Sequence, residues 1–373
     1  MERTADVAIV GAGVIGLSLG WALAREGLHV IALDSSQPGG GASSAAAGML
    51  AIVPEGAVSE ALIGLCRRSL DGYREWCEGL REATGIDVEY RDEGSLLPAT
   101  SDADLPLLAG AAAAYTEAGL EVETISPEEA RRREPLLTAE CRGALVVAGD
   151  CQVHTHRLVD ALRVAAPRAG VSVESATRVL GVLARGDRVT GIQTTHGDVA
   201  APWVVIAAGA WSGALGGRAG VPQIPIRPVK GEIVCLATGS FQLGRIVQGP
   251  ECYLVPRRDG RLLVGATEVD GSFDGTVSAG AVRNLLTAAT RLVPALGECP
   301  VVGLQAGLRP TTPDRLPILG PLGAEGLLVA TGHYRKGILL APETARLLAE
   351  CICAARVPQR LALFSPARFS ADR

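Results

Sequence analysis

Aromatic residues are scarce in this chain: four Trp, five Tyr and four Phe among 373 residues. They are not interleaved with a basic stripe, the charges are scattered, and the net charge is −5. Nucleic acid is therefore excluded as an expected partner. No apolar run reaches the length of a membrane span, so no membrane partner is expected either. The only N-terminal apolar run is short and broken by glycine, unlike a signal peptide, and a cytoplasmic location follows as an expectation. The nine cysteines are odd in number and dispersed. Cys351 and Cys353 form C-x-C rather than C-x-x-C, and no histidine pair lies at ligand spacing nearby. Reduced thiols and no metal site are expected. H-E-x-x-H, G-x-S-x-G and any locally supported Cys–His pairing are all missing. His29, His154, His156, His196 and His333 are scattered, and only His333, within a glycine turn near the end, stands where chemistry would need it.

What the chain has in quantity is glycine, 46 residues, on a background that is 48% hydrophobic. That suits a packed α/β protein with many tight turns, long enough for two domains. Three of these glycines, Gly11, Gly13 and Gly16, form G-x-G-x-x-G between the apolar runs Val7 to Val10 and Val30 to Leu33, with an amphipathic segment, Leu17 to Glu26, in the middle. This is the β-turn-α-turn-β setting of a dinucleotide site. Gly11 permits the tight turn, Gly13 lets backbone approach a pyrophosphate, and Gly16 lets helix pack on strand. The helix N-terminus offers N–H donors and a positive dipole to the anion. Asp34, ending the second strand, suits a ribose diol and disfavours a 2′-phosphate. The motif by itself leaves FAD and NAD open.

The following stretch, Pro38 to Leu50, is rich in Gly, Ala and Ser. It reads either as a flexible linker or as a loop lying flat along a bound dinucleotide; its position directly after a ribose strand favours the loop. Helices are expected over 57–81, 103–119, 126–137, 156–169, 277–296 and 338–355. The start at Ser126 carries a capping serine with Pro at the first helical position. Strand material is expected over 88–97, 143–147, 151–153 and 171–173, with a meander over 178–200. Val204 to Gly209 is an apolar strand ending in Ala-Ala-Gly, another place for close cofactor approach. From Ile224 to Gly307 the pattern turns to long antiparallel strands with a hairpin at Arg257 to Gly260. The parallel pattern returns at Gly326 to Thr331. The predicted architecture is α/β (mixed α+β): a Rossmann-like nucleotide domain made of 1–85, 150–222 and 308–373, interleaved with a substrate domain made of 86–149 and 223–307 on a large antiparallel or mixed β-sheet.

Two arginines stand out. Arg309 sits at a strand end between Gly307 and Pro310, and Arg335 lies in the glycine turn that opens the last helix. A guanidinium fork grips a carboxylate through two parallel hydrogen bonds. Tyr253 lies on the strand Cys252 to Pro256 and is either a core tyrosine or a hydroxyl that joins Arg309 on a substrate carboxylate; the sequence leaves both readings open.

These pieces together resemble the flavin-dependent glycine oxidases that supply dehydroglycine for the thiazole of thiamine, within the wider D-amino-acid oxidase and sarcosine oxidase family. The matching stretches are VGAGVIG (Val10 to Gly16), SSAAAGML (Ser43 to Leu50), AAGAWS (Ala207 to Ser212), VKGE (Val229 to Glu232), CYLVPR (Cys252 to Arg257), GRLLVGAT (Gly260 to Thr267), AGLRP (Ala306 to Pro310) and GHYRKGILLAP (Gly332 to Pro342). They run through almost the whole chain in family order. The first is generic to dinucleotide enzymes; the second and the last are far more specific. The resemblance implies FAD, held noncovalently, since no cysteine lies between Gly326 and Pro342. It places Gly11, Gly13, Val14, Ile15 and Gly16 at the pyrophosphate, and Asp34 and Ser35 at the adenosine ribose. Ala42, Ser43, Ala47, Gly48 and Met49 would line the diphosphate and flavin, Val179 the adenine, and Gly209 the cofactor side. His333, Tyr334, Arg335, Lys336, Gly337, Ile338 and Leu339 would form the turn and helix start under the flavin. Arg309, Tyr253 and Arg335 would meet the substrate. Two departures from the family pattern are Glu251, where histidine can occur, and Lys336, where asparagine stands; a lysine there would lie beside the flavin or point to solvent.

The implied chemistry is oxidative deamination of glycine and other small amines such as sarcosine and small D-amino acids. Hydride passes from Cα to N5 of the flavin, dioxygen is the acceptor, and the products are an imine or glyoxylate, ammonia and hydrogen peroxide. Small amine substrates, O2 and thiazole-pathway proteins are the implied partners, and a homo-oligomer is the expected assembly. The alternatives are a dehydrogenase of the same superfamily passing electrons to a carrier, an NAD-dependent oxidoreductase, and a noncatalytic FAD-binding protein. Arg309 with Tyr253 weighs against the last, because a scaffold needs no carboxylate clamp.

Overall fold

The computed structural model describes residues 3–52, 59–217, 221–239 and 241–369. A six-stranded sheet runs in the order Ile318–Pro321, Leu327–Thr331, Trp203–Ile206, Val7–Val10, Val30–Leu33, Ser172–Glu174. Five of these strands are parallel; Ile318–Pro321 joins antiparallel at one edge. The central strands are continuous apolar runs because both faces are covered: Val7, Ile9, Val204, Val205 and Ile206 have no exposed surface. The helix Val14–Arg25 packs against the last helix, Gly337–Cys353, and against Thr155–Arg168. It begins at Val14, three residues ahead of the apolar period, because Gly13 takes the extended N-cap conformation. The carboxyl ends of the parallel strands, where ligands bind in open α/β sheets, are Val10, Leu33, Glu174, Ile206 and Thr331.

The second sheet has nine strands. Val269–Asp270, Arg227–Ala237, Arg261–Gly265, Tyr253–Pro256, Ile246–Gln248, Ser95–Ala99, Gly143–Val147 and Val122–Ile125 follow one another, and Val301–Thr311 pairs along Arg227–Ala237. Side chains alternate between its two faces with period two. Val234, Leu236, Leu254, Leu262 and Val264 pack on the helix Ala279–Leu292. Ile233, Cys235, Val255 and Leu263 face the other way and pack around Ala47 of the glycine-rich loop. Tyr253 shares a parity with Val255, so it stands on the loop side. Gly307 pairs with Gly231 and Arg309 with Val229, and all four share that side too. A residue's parity along these strands thus decides whether it meets the helix core or the nucleotide domain.

The meander Val179–Arg185, Arg188–Thr194, Val199–Ala200 closes onto Arg3–Thr4 as a four-stranded sheet. Several expected elements differ in extent. The helix expected over 57–81 is two, Glu60–Asp71 and Tyr73–Thr84, parted at Gly72; Ala57 and Val58 lie outside the described residues. The expected strand 88–97 is only Ser95–Ala99, preceded by an isolated bridge from Arg91 to Gln152. The helix expected over 277–296, with Pro294 expected to kink or end it, does end ahead of that proline, at Leu292, and Pro294 opens a 3-10 turn, having no N–H to continue an α-helix. Val122–Ile125 and Ile318–Pro321 are strands with no sequence expectation behind them. All nine cysteines are free thiols, eight of them buried or half-buried. Among the described residues no helix is long and apolar enough to cross a membrane, and no three His, Cys, Asp or Glu side chains gather as a metal site.

Candidate active site

One cavity of about 1250 Å³ lies between the two sheets. It exceeds the roughly 300–1,000 Å³ of ordinary small-molecule sites, as a cleft for a dinucleotide and a second small ligand would. Of the sequence-predicted residues, Gly11, Gly13, Val14, Ile15, Asp34, Ser35, Ala42, Ser43, Ala47, Gly48, Met49, Val179 and Gly209 line it, as do His333, Tyr334, Arg335, Gly337, Ile338, Tyr253 and Arg309. Gly16, Lys336 and Leu339 do not.

The glycine turn is interlocked with its surroundings. Gly11 has φ +104°, and a Cβ there would sit 2.5 Å from the Ala207 carbonyl oxygen. A Cβ on Gly16 would overlap the carbonyl of Gly11 itself. These two glycines are required by close packing of the turn, while Gly13 faces the Ser43 hydroxyl. That hydroxyl accepts the Val14 N–H at 3.0 Å and ties the second loop to the helix N-terminus. Asp34 accepts the Ala12 N–H at 2.9 Å through one carboxylate oxygen, and the N–H and hydroxyl of Ser36 through the other. A carboxylate offers about four acceptor sites, so Asp34 fixes the turn and retains capacity toward the cavity for a diol. A positive helix end, a carboxylate at the second strand and a backbone that admits no side chains make a cradle that suits FAD.

The loop 42–49 is held from behind by a residue that the sequence placed in a hairpin and a matching stretch but gave no role. Arg257, on the hairpin after Tyr253–Pro256, is only 4% exposed. Its guanidinium donates to the carbonyls of Ala47 at 2.5 Å and Val153 at 3.0 Å, and to the Gln152 side chain at 3.4 Å. Burial lowers its pKa to about 10, still protonated at neutral pH. Removing a buried donor strands its acceptors, at roughly 1–3 kcal/mol each. Arg257→Met is therefore expected to lower the melting temperature by several degrees and weaken FAD retention; unchanged values of both in thermal melts and flavin titration would remove this role.

The turn before the last helix is fixed in the same way. Pro342 lies inside that helix and supplies no N–H to the Ile338 carbonyl four residues back. The buried Tyr73 hydroxyl donates to that carbonyl at 3.0 Å, and Ser69 donates to the Leu339 carbonyl at 2.5 Å. His333 pairs through Nε2 with the Thr344 hydroxyl at 3.1 Å; burial pushes its pKa down to about 3, so it stays neutral. The Thr331 hydroxyl donates to the Gly209 carbonyl at 3.1 Å, joining two cofactor-side loops. Lys336 is not among the residues that line the cavity, and its Nζ donates to the Ala51 carbonyl at 2.5 Å.

Of the residues expected to meet the substrate, Arg309 rests on Gly231, where any side chain would overlap the guanidinium. Its Nη1 donates to the Thr267 carbonyl at 3.1 Å. The Tyr253 ring lies over Gly265, where a Cβ would come within 2.5 Å of its hydroxyl. Arg335 donates to Glu268 at 2.5 Å, and the Tyr334 hydroxyl donates to the other Glu268 oxygen at 2.6 Å. Glu268 carries no sequence expectation, although it follows directly on the GRLLVGAT stretch. Glu251 also lines the cavity and pairs with Arg291 at 3.0 Å. On that wall Gln248 donates to the buried Asp150 at 3.2 Å and to Ser95 at 3.1 Å. Burial raises Asp150 to about 6 against these hydrogen bonds.

The chain is similar to known proteins over almost its whole length. The family model described as FAD dependent oxidoreductase matches residues 6–351. A glycine oxidase of Geobacillus kaustophilus is 40% identical over 99% of this chain and 98% of its own. A bifunctional protein ThiO/ThiG of Synechocystis is 37% identical over 99% of this chain and 55% of its own length. The crystal structure of the Geobacillus kaustophilus glycine oxidase superposes with a TM-score of 0.92 at 39% identity, covering 97% of this chain and 98% of that one.

Proposed function

The chain belongs to the FAD dependent oxidoreductase family, and on that premise we propose that it is an oxidase of glycine and other small amines, among them sarcosine and small D-amino acids. The observation that carries this reading is the convergence of Arg309 and Tyr253 on the cavity face of one sheet, opposite the cradle of the other. Arg309 grips the substrate carboxylate through its fork, and the Tyr253 hydroxyl donates to the same group. That grip sets Cα toward the cofactor, and orientation is most of what the protein must supply. No buried histidine takes a proton in this scheme, consistent with a neutral His333 already paired to Thr344. FAD, when bound, takes two electrons from the amine and delivers them to dioxygen. The balance is glycine, water and O2 to glyoxylate, ammonia and hydrogen peroxide. The likeness to a ThiO/ThiG protein supports the further reading that the imine, before hydrolysis, feeds thiazole assembly.

The holoenzyme is expected to release hydrogen peroxide with glycine in air, one equivalent per glyoxylate formed. Reduction of an added dye carrier with glycine but no peroxide would instead identify a dehydrogenase.

A further inference from the structure

We propose that Gln248 forms a second subsite of the cavity, one that holds a hydrogen-bond donor at the end of a substrate's amine substituent. This rests on the amine-oxidase reading above and narrows its substrate class to glycines whose nitrogen carries a short chain ending in O–H or N–H. The register of the large sheet places the subsite. Gln248 pairs with Tyr253, Tyr253 with Gly265, and Gly265 with Ile233, in one row across neighbouring strands. Residues in one row share a face, and all of these line the cavity. The Tyr253 ring leans over Gly265, and the Arg309 guanidinium lies over Gly231, two residues along from Ile233. The two groups that grip a carboxylate therefore stand above the strands Arg261–Gly265 and Arg227–Ala237. Gln248 ends the strand Ile246–Gln248, on the other side of Tyr253 and two strand spacings from Gly265. Two spacings are about 9–10 Å.

The Gln248 amide has only one way round. Its Nε2 donates to Asp150 at 3.2 Å and to the Ser95 hydroxyl at 3.1 Å. Ser95 spends its own proton on the same Asp150 oxygen at 2.5 Å, so toward Gln248 it can only accept. Asp150 is 1% exposed; burial raises it to about 6, and at neutral pH it is a carboxylate, an acceptor only. Both amide hydrogens are thus used against the wall. The carbonyl oxygen Oε1 of this half-buried, cavity-lining residue accepts from no group among the described residues and is not shut off from solvent. It is an open acceptor, and its complement is a donor on the ligand. Glycine does not reach it from the clamp, since its nitrogen is roughly 2.5 Å from the carboxyl carbon. N-(2-hydroxyethyl)glycine carries a hydroxyl five bonds from that carbon, roughly 6 Å in an extended chain, and a hydrogen bond of about 2.8 Å closes the span.

The test compares Gln248→Met, which removes the amide at similar length, with the parent holoenzyme. N-(2-hydroxyethyl)glycine and N-propylglycine match atom for atom except at the tip, where a hydroxyl replaces a methyl. Oxidation of the former, with water and dioxygen, gives glyoxylate, 2-aminoethanol and hydrogen peroxide. The ratio of kcat/KM for the hydroxyethyl over the propyl substrate is expected to fall about fivefold in the variant, the scale of one neutral hydrogen bond. The non-reacting ethers (2-hydroxyethoxy)acetate and propoxyacetate, titrated by perturbation of the flavin absorbance, should show the same fall in their affinity ratio. Unchanged ratios in a flavin-loaded variant overturn the proposal, as does a parent that binds propoxyacetate about tenfold tighter than its hydroxyl counterpart. Where Gln248→Met fails to retain flavin, Gln248→Leu carries the same comparison. A shifted ether ratio in a protein that oxidises neither amine would sustain the subsite and overturn the oxidase reading; oxidation of both amines with unchanged ratios would do the reverse.

Discussion

Arg309→Ala is expected to raise the KM for glycine about a hundredfold while the protein still folds and holds its flavin. A bidentate, charge-assisted grip on a carboxylate contributes about 3 kcal/mol, and every 1.4 kcal/mol is a factor of ten. The local structure makes the change clean. Arg309 is half-buried, stands on the cavity face of Val301–Thr311, and among the described residues makes one hydrogen bond, to the Thr267 carbonyl, which water can take over. A graded companion comes from beneath it. Gly231→Ala places a methyl where the guanidinium now lies. The far end of a long side chain can shift, so this variant should keep its charge and lose only the alignment, with a KM several-fold above the parent. Steady-state peroxide release over a glycine series measures both. A KM for Arg309→Ala equal to the parent's would falsify the clamp, and a Gly231→Ala protein with a larger defect than Arg309→Ala would point to damage in the sheet rather than in the grip.

Tyr253 and Arg309 were legible as candidates because each sits on a strand whose alternation can be counted, and the face they share is the one that carries Ala47 and the loop. The cofactor cradle was legible because its glycines, its strands and Asp34 lie within 35 residues of one another. Arg257 and Glu268 were not. Their partners are 210 and 67 residues away, and nothing local marks a buried arginine or a carboxylate that pairs with Arg335. Lys336 shows a different limit. Its backbone lies in the turn that the sequence located, but four flexible carbons let its ammonium reach the Ala51 carbonyl, and pattern does not fix that direction. The break at Gly72 was hidden because the apolar period runs on through it. The strand Val122–Ile125 was hidden because it is an edge with mostly outward side chains.

The fingerprint glycines give the other large effect. Gly16→Ala is expected to yield protein that has lost its yellow cofactor on purification, with the FAD dissociation constant raised by a hundredfold or more. A methyl at Gly16 overlaps the Gly11 carbonyl, and Ile9 Cγ2 already lies 3.3 Å away. Backbone cannot step aside as a side chain can. Gly11 is itself pressed on Ala207 and Ala208, and the strand it ends is paired on both sides. The remaining way out is for the start of the helix Val14–Arg25 to lift from the turn. That tilts away the N–H groups that would meet the pyrophosphate, and overpacking of this kind costs about 1–3 kcal/mol in stability as well. Gly27→Ala separates the two consequences. Gly27 ends the same helix with φ +86° and open space around its Cα, so alanine there carries backbone strain, on the order of 1 kcal/mol, far from the cavity. It should lower the melting temperature by a few degrees and leave FAD affinity untouched. If Gly16→Ala bound FAD as tightly as the parent, the turn would be shown to accommodate a Cβ, and helix-to-strand contact at Gly16 would not be what shapes the cradle.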